Sequence, residues 1–169
     1  MGLFDAFKKG SKEAEQEVLE KFWTLTERFS KTLRMSSVLL EGNLSSAGFD
    51  AKQKATFNAA ILLGLLEGIE KIVNDKHITQ KIVLGELHQS LKELFDLDHD
   101  TANEVVHMVQ SKNAKDASFV ALRKFGKERV VIFFSDQSDP DLMKSLALDV
   151  VYENESLLNN FKKEYKPLR

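Results

Sequence analysis

Apolar residues recur along this chain mainly at the three- and four-residue spacing of an amphipathic helix. Val18, Phe22, Leu25, Phe29 and Leu33 fall on one face of a first long helix. Ser11 reads as its N-cap, with Glu13, Glu15 and Glu17 suited to its positive end. Gly42-Asn43 reads as the break that ends it, ahead of a polar loop from Leu44 to Gly48. Asp50, with Gln53 three residues on, is a capping-box variant that opens a second helix over residues 51–73. Phe57, Ile61, Leu62, Leu63, Leu65, Leu66 and Ile69 leave little polar face in its middle, which predicts a buried central helix. Ala60, Gly64 and Gly68 recur every four residues within it, a spacing that lets a second helix approach closely.

Thr79 reads as the next N-cap, with Ile78 and Val83 placed as a hydrophobic staple. The third helix carries Val83, Leu84, Leu87, Leu91, Leu94 and Phe95. The fourth starts at Asp98 or Asp100 and buries Val105, Val106 and Val109. Phe119, Leu122 and Phe125 suit a further helix, but Arg129 to Phe134 is a β-branched and aromatic run of the kind found in strands. Helix is the favoured reading there, because an isolated hairpin is marginal in water and no third strand is evident. A short β-hairpin at 119–134 stands as the alternative. Asp139-Pro140-Asp141 opens a last helix to about Tyr165, with Leu142, Leu146, Val150, Leu157 and Phe161 inward. The expectation is one all-α domain, residues 1–169, of five or six helices around the helix at 51–73.

Composition changes this picture chiefly by exclusion. The chain has no cysteine, so disulfides, thiolate metal sites and a cysteine nucleophile are absent. The net charge of −2 gives no overall basic balance for nucleic-acid binding. The longest apolar run, Ala59 to Leu66, is far too short to span a membrane. At the N-terminus, Ala6 stands where N-myristoylation wants Ser or Thr, and Lys8-Lys9-Gly10-Ser11-Lys12 interrupts what a signal peptide would need. Leu3, Phe4 and Phe7 against Lys8 and Lys9 resemble the opening of short membrane-active peptides. Packing of Phe4 and Phe7 back onto the domain is the other reading.

The candidate chemistry is sparse. Asp96-Leu97-Asp98-His99-Asp100, followed by Glu104, begins like an EF-hand loop, but Thr101 replaces the needed Gly and His107 the needed Glu. Helix capping by these acids is the expected role. His77, His88, His99 and His107 lack any one-turn metal spacing, which leaves only a fold-dependent grouping of His88, His99 and Asp96. Glu67 and Glu70 lie near the buried helix as a candidate acid/base or metal pair, or as ion-paired groups. No nucleophile elbow and no phosphate loop is present. Charge is blocked: six acids and only Lys92 between Glu86 and Glu104, a basic stretch from Lys112 to Arg129, and an acidic one from Asp136 to Glu155. Such blocks either pair with each other in the fold or form an acidic surface that steers a basic partner.

Residues Ala59 to Gln110 resemble half of a TerB-type tellurite-resistance domain, through an apolar helix, the polar turn Asn74 to Thr79, a helix with Glu86, then Phe95-Asp96-Leu97-Asp98 and another helix. That family is all-helical with acidic metal-binding positions; its Asp-Gly turn is Asp75-Lys76 here, so no metal ligand carries over. The length, the acidic blocks, the lack of cysteine and the start Met1-Gly2-Leu3-Phe4-Asp5 resemble the small cytoplasmic immunity proteins of bacterial toxin systems. That resemblance implies a cytoplasmic, non-enzymatic protein that neutralises a partner toxin by covering it. No cofactor and no metal is expected. The acids expected to meet the partner are Asp96, Asp98, Asp100, Glu104, Glu153 and Glu155. A metal- or small-ligand-binding stress protein and a carboxylate enzyme are the alternatives.

Overall fold

The computed structural model describes residues 3–46, 48–112, 116–135 and 160–161. It is an all-α bundle of α1 (Leu3–Ser46), α2 (Ala51–Val73), α3 (Gln80–Phe95), α4 (His99–Lys112) and α5 (Ala117–Ser135), with no strand among the described residues. Helix α2 packs against each of the other four, and most extensively against α5. Its residues from Ala55 to Leu66, together with Gly68 and Ile69, are all buried. The expectation of a central helix over 51–73 therefore holds at both boundaries.

Both ends of α2 follow from local chemistry. The Asp50 carboxylate accepts from the Gln53 backbone N–H at 2.8 Å, and the Gln53 side chain accepts from the Asp50 N–H at 2.9 Å. Two N–H groups that the helix leaves unpaired are thus satisfied reciprocally. At the other end Asn74 turns into the left-handed region, φ 48°, and its N–H donates to Glu70 O at 2.8 Å.

Helix α1 departs from expectation at both ends. Ser11 is not an N-cap, and Gly42-Asn43 is not a break, because the helix runs through both. The stop lies at Gly48, whose φ of 79° suits glycine. The Gly48 N–H donates to Ser45 O at 2.9 Å and the Phe49 N–H to Leu44 O at 3.1 Å. This is a Schellman ending, and its accompanying apolar pair, Leu44 and Phe49, is buried.

Residues 119–134 form helix rather than a hairpin. The reason is α2. A Cβ on Gly64 would lie 2.0 Å from the Arg123 carbonyl oxygen, and one on Gly126 would lie 2.2 Å from Ile61 O. At Gly68 it would lie 2.8 Å from Val130 Cβ. The small-residue stripe of α2 thus meets α5 backbone to backbone, and Phe119, Leu122, Phe125 and Val130 are buried along the contact. Burial on α2 outweighs the strand preference of the Val-Val-Ile-Phe-Phe run.

Of the expected last helix only Asn160 and Phe161 are described, and both are helical. Phe161 is fully buried and makes ring contacts with Phe49, Phe57 and Phe119, at centroid separations of 5.3–5.5 Å. Leu142, Leu146, Val150 and Leu157 lie outside the described residues, as do Glu153 and Glu155. No described helix is long and apolar enough to cross a membrane.

Candidate functional site

The acidic turn at 96–104 is built first by its capping duties. Asp98 is the N-cap of α4: its carboxylate accepts from the Thr101 N–H at 2.9 Å and from the Thr101 hydroxyl at 2.7 Å. Those two bonds, the backbone one foremost, hold the Asp98 carboxyl below its ordinary range. Asp96 takes the left-handed position after α3, φ 52°, a conformation that Asp tolerates better than most residues. Asp100 lies exposed in the first turn of α4, and Glu104 pairs with Lys52 of α2. Of the four acids, Asp98 and Glu104 thus serve the fold, while Asp96 and Asp100 make no ion pair among the described residues.

The fold brings His88 and His99 together, with ring centroids 4.8 Å apart and planes at 79°. Asp96 does not complete the grouping: among the described residues no three His, Asp or Glu side chains are placed to hold a metal ion. His77 is used locally, its Nδ1 lying 2.7 Å from Asp75 Oδ1. Glu67 belongs to the ion-paired reading. Arg123 Nε donates to its Oε2 at 2.6 Å, and the second guanidinium nitrogen reaches Oε1, a two-pronged bridge between α2 and α5. The basic block on α5 thus turns partly toward α2, and no ion pair joins it to the acids of 86–104 among the described residues.

Sequence reasoning named the acidic block from Glu86 onward but missed the acids of α1 that the fold sets opposite it. A shallow groove between α1 and α3 is lined by Glu20, Trp23 and Glu27 on one side and by Glu86, Gln89 and Glu93 on the other. Each trio sits at helical spacings of three and four, so it occupies one face of its helix. Trp23, the only tryptophan in the chain, is 47% exposed. Glu27 is bridged to Lys31 at 2.5 Å, and Glu93 accepts from the Gln89 amide. Glu20 accepts from the Gln16 amide at 3.1 Å. Glu86 is half-buried, and burial first, with the Glu93 charge second, pushes its carboxyl above the usual range.

That shift has a stability consequence. A carboxyl raised in the folded state stabilises the fold only while protonated, below its unfolded value, and that contribution is lost as pH rises through the folded value. At neutral pH the ionised Glu86 is therefore a cost. Glu86→Gln is expected to raise the melting temperature at pH 7.5, with the gain shrinking as pH falls toward the ordinary carboxylate range. An equal gain at both pH values would separate the effect from this titration.

Comparison with protein-family models, with curated proteins and with solved structures finds no match for this chain.

Proposed function

We propose that this chain is a non-catalytic binding protein that captures a basic partner protein on its acidic α1–α3 face, in the manner of an immunity protein that neutralises a toxin by covering it. The observation that carries this reading is Trp23, exposed in a groove whose ionisable lining consists of Glu20, Glu27, Glu86 and Glu93. Tryptophan and arginine are the commonest anchors of protein interfaces. A guanidinium or ammonium group from a partner can stack on the indole face while the flanking carboxylates pair with it. The same acids give the surface a field that draws a basic partner in and speeds encounter. Glu93 lies one turn before Asp96, so the exposed carboxylates of Asp96 and Asp100 extend that field past the end of α3. Desolvated Glu86, held against a neighbouring carboxylate, gains most from an incoming cation.

The test is co-expression with the product of the adjacent reading frame, followed by stopped-flow association monitored through a dye attached to the partner. The association rate is expected to fall about tenfold or more from low salt to several times physiological ionic strength. Trp23→Ala is expected to weaken the complex by about 2 kcal/mol or more. Replacing Asp96 and Asp100 together with Asn should flatten the salt dependence while sparing the melting temperature, because both are exposed and neither makes an ion pair among the described residues. Association indifferent to salt and to Trp23→Ala would remove this face from the interface.

A further inference from the structure

A second cleft, of about 360 Å³, opens where α1, the first turns of α2 and the C-terminal end of α3 converge. It is separate from the acidic groove and shares none of its residues. Asn58 of α2 lines it and is 2% exposed. Its amide nitrogen donates to Lys54 O at 2.9 Å, and because that carbonyl can only accept, the orientation of the amide is fixed. The side-chain oxygen then has no hydrogen-bond partner among the described residues. A buried acceptor left without a donor is destabilising, and Asn58 places one within the wall of the cleft.

The charged lining is Arg34 and Glu41 of α1, Lys54 of α2 and Asp96 after α3. Lys54 and Glu41 are occupied with each other at 3.7 Å, and Lys54 also donates to Ser45 Oγ at 2.7 Å. Arg34 and Asp96 have no ion pair among the described residues. They come from different elements, with the apolar side chains of Val38, Leu94 and Phe95 in the same lining. A cation and an anion without ion pairs among the described residues, beside an apolar wall, are complementary to a small zwitterion with an apolar part.

We infer that this cleft binds a zwitterionic amino acid with an apolar side chain. Arg34 takes the carboxylate in a two-pronged contact, Asp96 takes the ammonium, and the side chain lies on Leu94 and Phe95. The volume lies near the lower end of the range for small-molecule pockets, which suits a ligand of amino-acid size. This inference does not depend on the partner-binding reading.

The probes are L-leucine and L-phenylalanine, titrated by calorimetry and by amide NMR, with N-acetyl-L-phenylalanine and L-phenylalaninamide as partners lacking one charge. One of the free amino acids is expected to bind at one site, and each blocked analogue to bind about tenfold or more weakly, the usual scale for losing one charge-assisted contact. Arg34→Ala and Asp96→Asn are both exposed substitutions that keep the fold, and Asn tolerates the left-handed position. Each is expected to weaken the free amino acid about tenfold while leaving circular dichroism unchanged. No binding of either amino acid at millimolar concentration would overturn the inference. So would a blocked analogue that binds as well as its parent, or an affinity unmoved by either variant.

Discussion

Gly64→Ala is expected to destabilise the protein by about 2–3 kcal/mol or more, although alanine is the better helix former. In an exposed helix the substitution would gain about 1 kcal/mol. Here the new methyl would sit 2.0 Å from the carbonyl oxygen of Arg123 and 2.8 Å from its carbonyl carbon. Neither atom belongs to a side chain that can swing away, so relief requires α5 to move off α2. That movement would open the contact along Phe119, Leu122 and Val130, all fully buried, and would strain the Arg123–Glu67 bridge. Gly85→Ala is the matched control. Gly85 lies inside α3, exposed, with nothing within 4 Å of the added methyl. It should stabilise the protein by up to about 1 kcal/mol. Urea denaturation of the two variants reads opposite signs if α2 and α5 cross as described. Two stabilised variants would mean that they do not.

The α2–α5 crossing also shows how far the sequence could be read. The stripe Ala60, Gly64 and Gly68 announces that some helix comes close, because small residues matter only where a neighbour fills the space. Which helix it is could not be read, since the partner lies some 60 residues on and nothing local names it. On α5 the complementary stripe is Phe119, Leu122, Gly126, Val130 and Phe133, at spacings of three and four. Gly126 breaks the apolar pattern by eye, which is why the following β-branched run resembles a strand. Counting that glycine as an interior position restores the helical period.

Capping signals were readable where they were self-contained. The Asp50–Gln53 box needs only residues three apart, and it fixes the start of α2. Asp98 caps α4 by the same short reach. Ser11 misled because a cap residue marks a boundary only if the preceding residues do not already continue the helix, and α1 is helical from Leu3. Gly42 misled because a glycine inside a helix costs about 1 kcal/mol, which burial of Leu33 and Leu44 on the same helix readily offsets. The true stop at Gly48 did carry a signal, in the apolar Leu44 and Phe49 placed to close a Schellman turn. The Trp23 groove was half readable. Glu20, Trp23 and Glu27 mark one helix face and Glu86, Gln89 and Glu93 another, but that the two faces meet is decided by how α1 and α3 pack. The turn at 96–104, singled out for its density of acids, proved to be spent partly on capping and on Lys52.

Phe161→Ala is expected to cost about 3–5 kcal/mol, the range for removing a buried aromatic ring. Phe161 is the one described large side chain beyond α5, and it is fully buried. Its ring meets Phe57 edge-on at 5.3 Å, Phe49 edge-on at 5.5 Å and Phe119 at a tilt, 5.4 Å. These three rings come from α2, from the residue that closes the α1 Schellman turn, and from α5. One phenylalanine therefore packs against rings from three parts of a single core, and its loss removes all three ring contacts at once. Edge-to-face pairs add about 0.5–1.5 kcal/mol beyond burial, which places the effect toward the upper end of the range. Phe161→Leu keeps most of the apolar volume and loses the ring geometry, so it should fall well short of the alanine effect. Chemical denaturation of both variants measures the difference. Val131→Ala, at a 39% exposed position on α5, supplies the baseline and should change stability by less than about 0.5 kcal/mol. If Phe161→Ala melts with Val131→Ala, the C-terminal segment does not dock on the α2–α5 core, and the aromatic cluster is not part of what holds the bundle together.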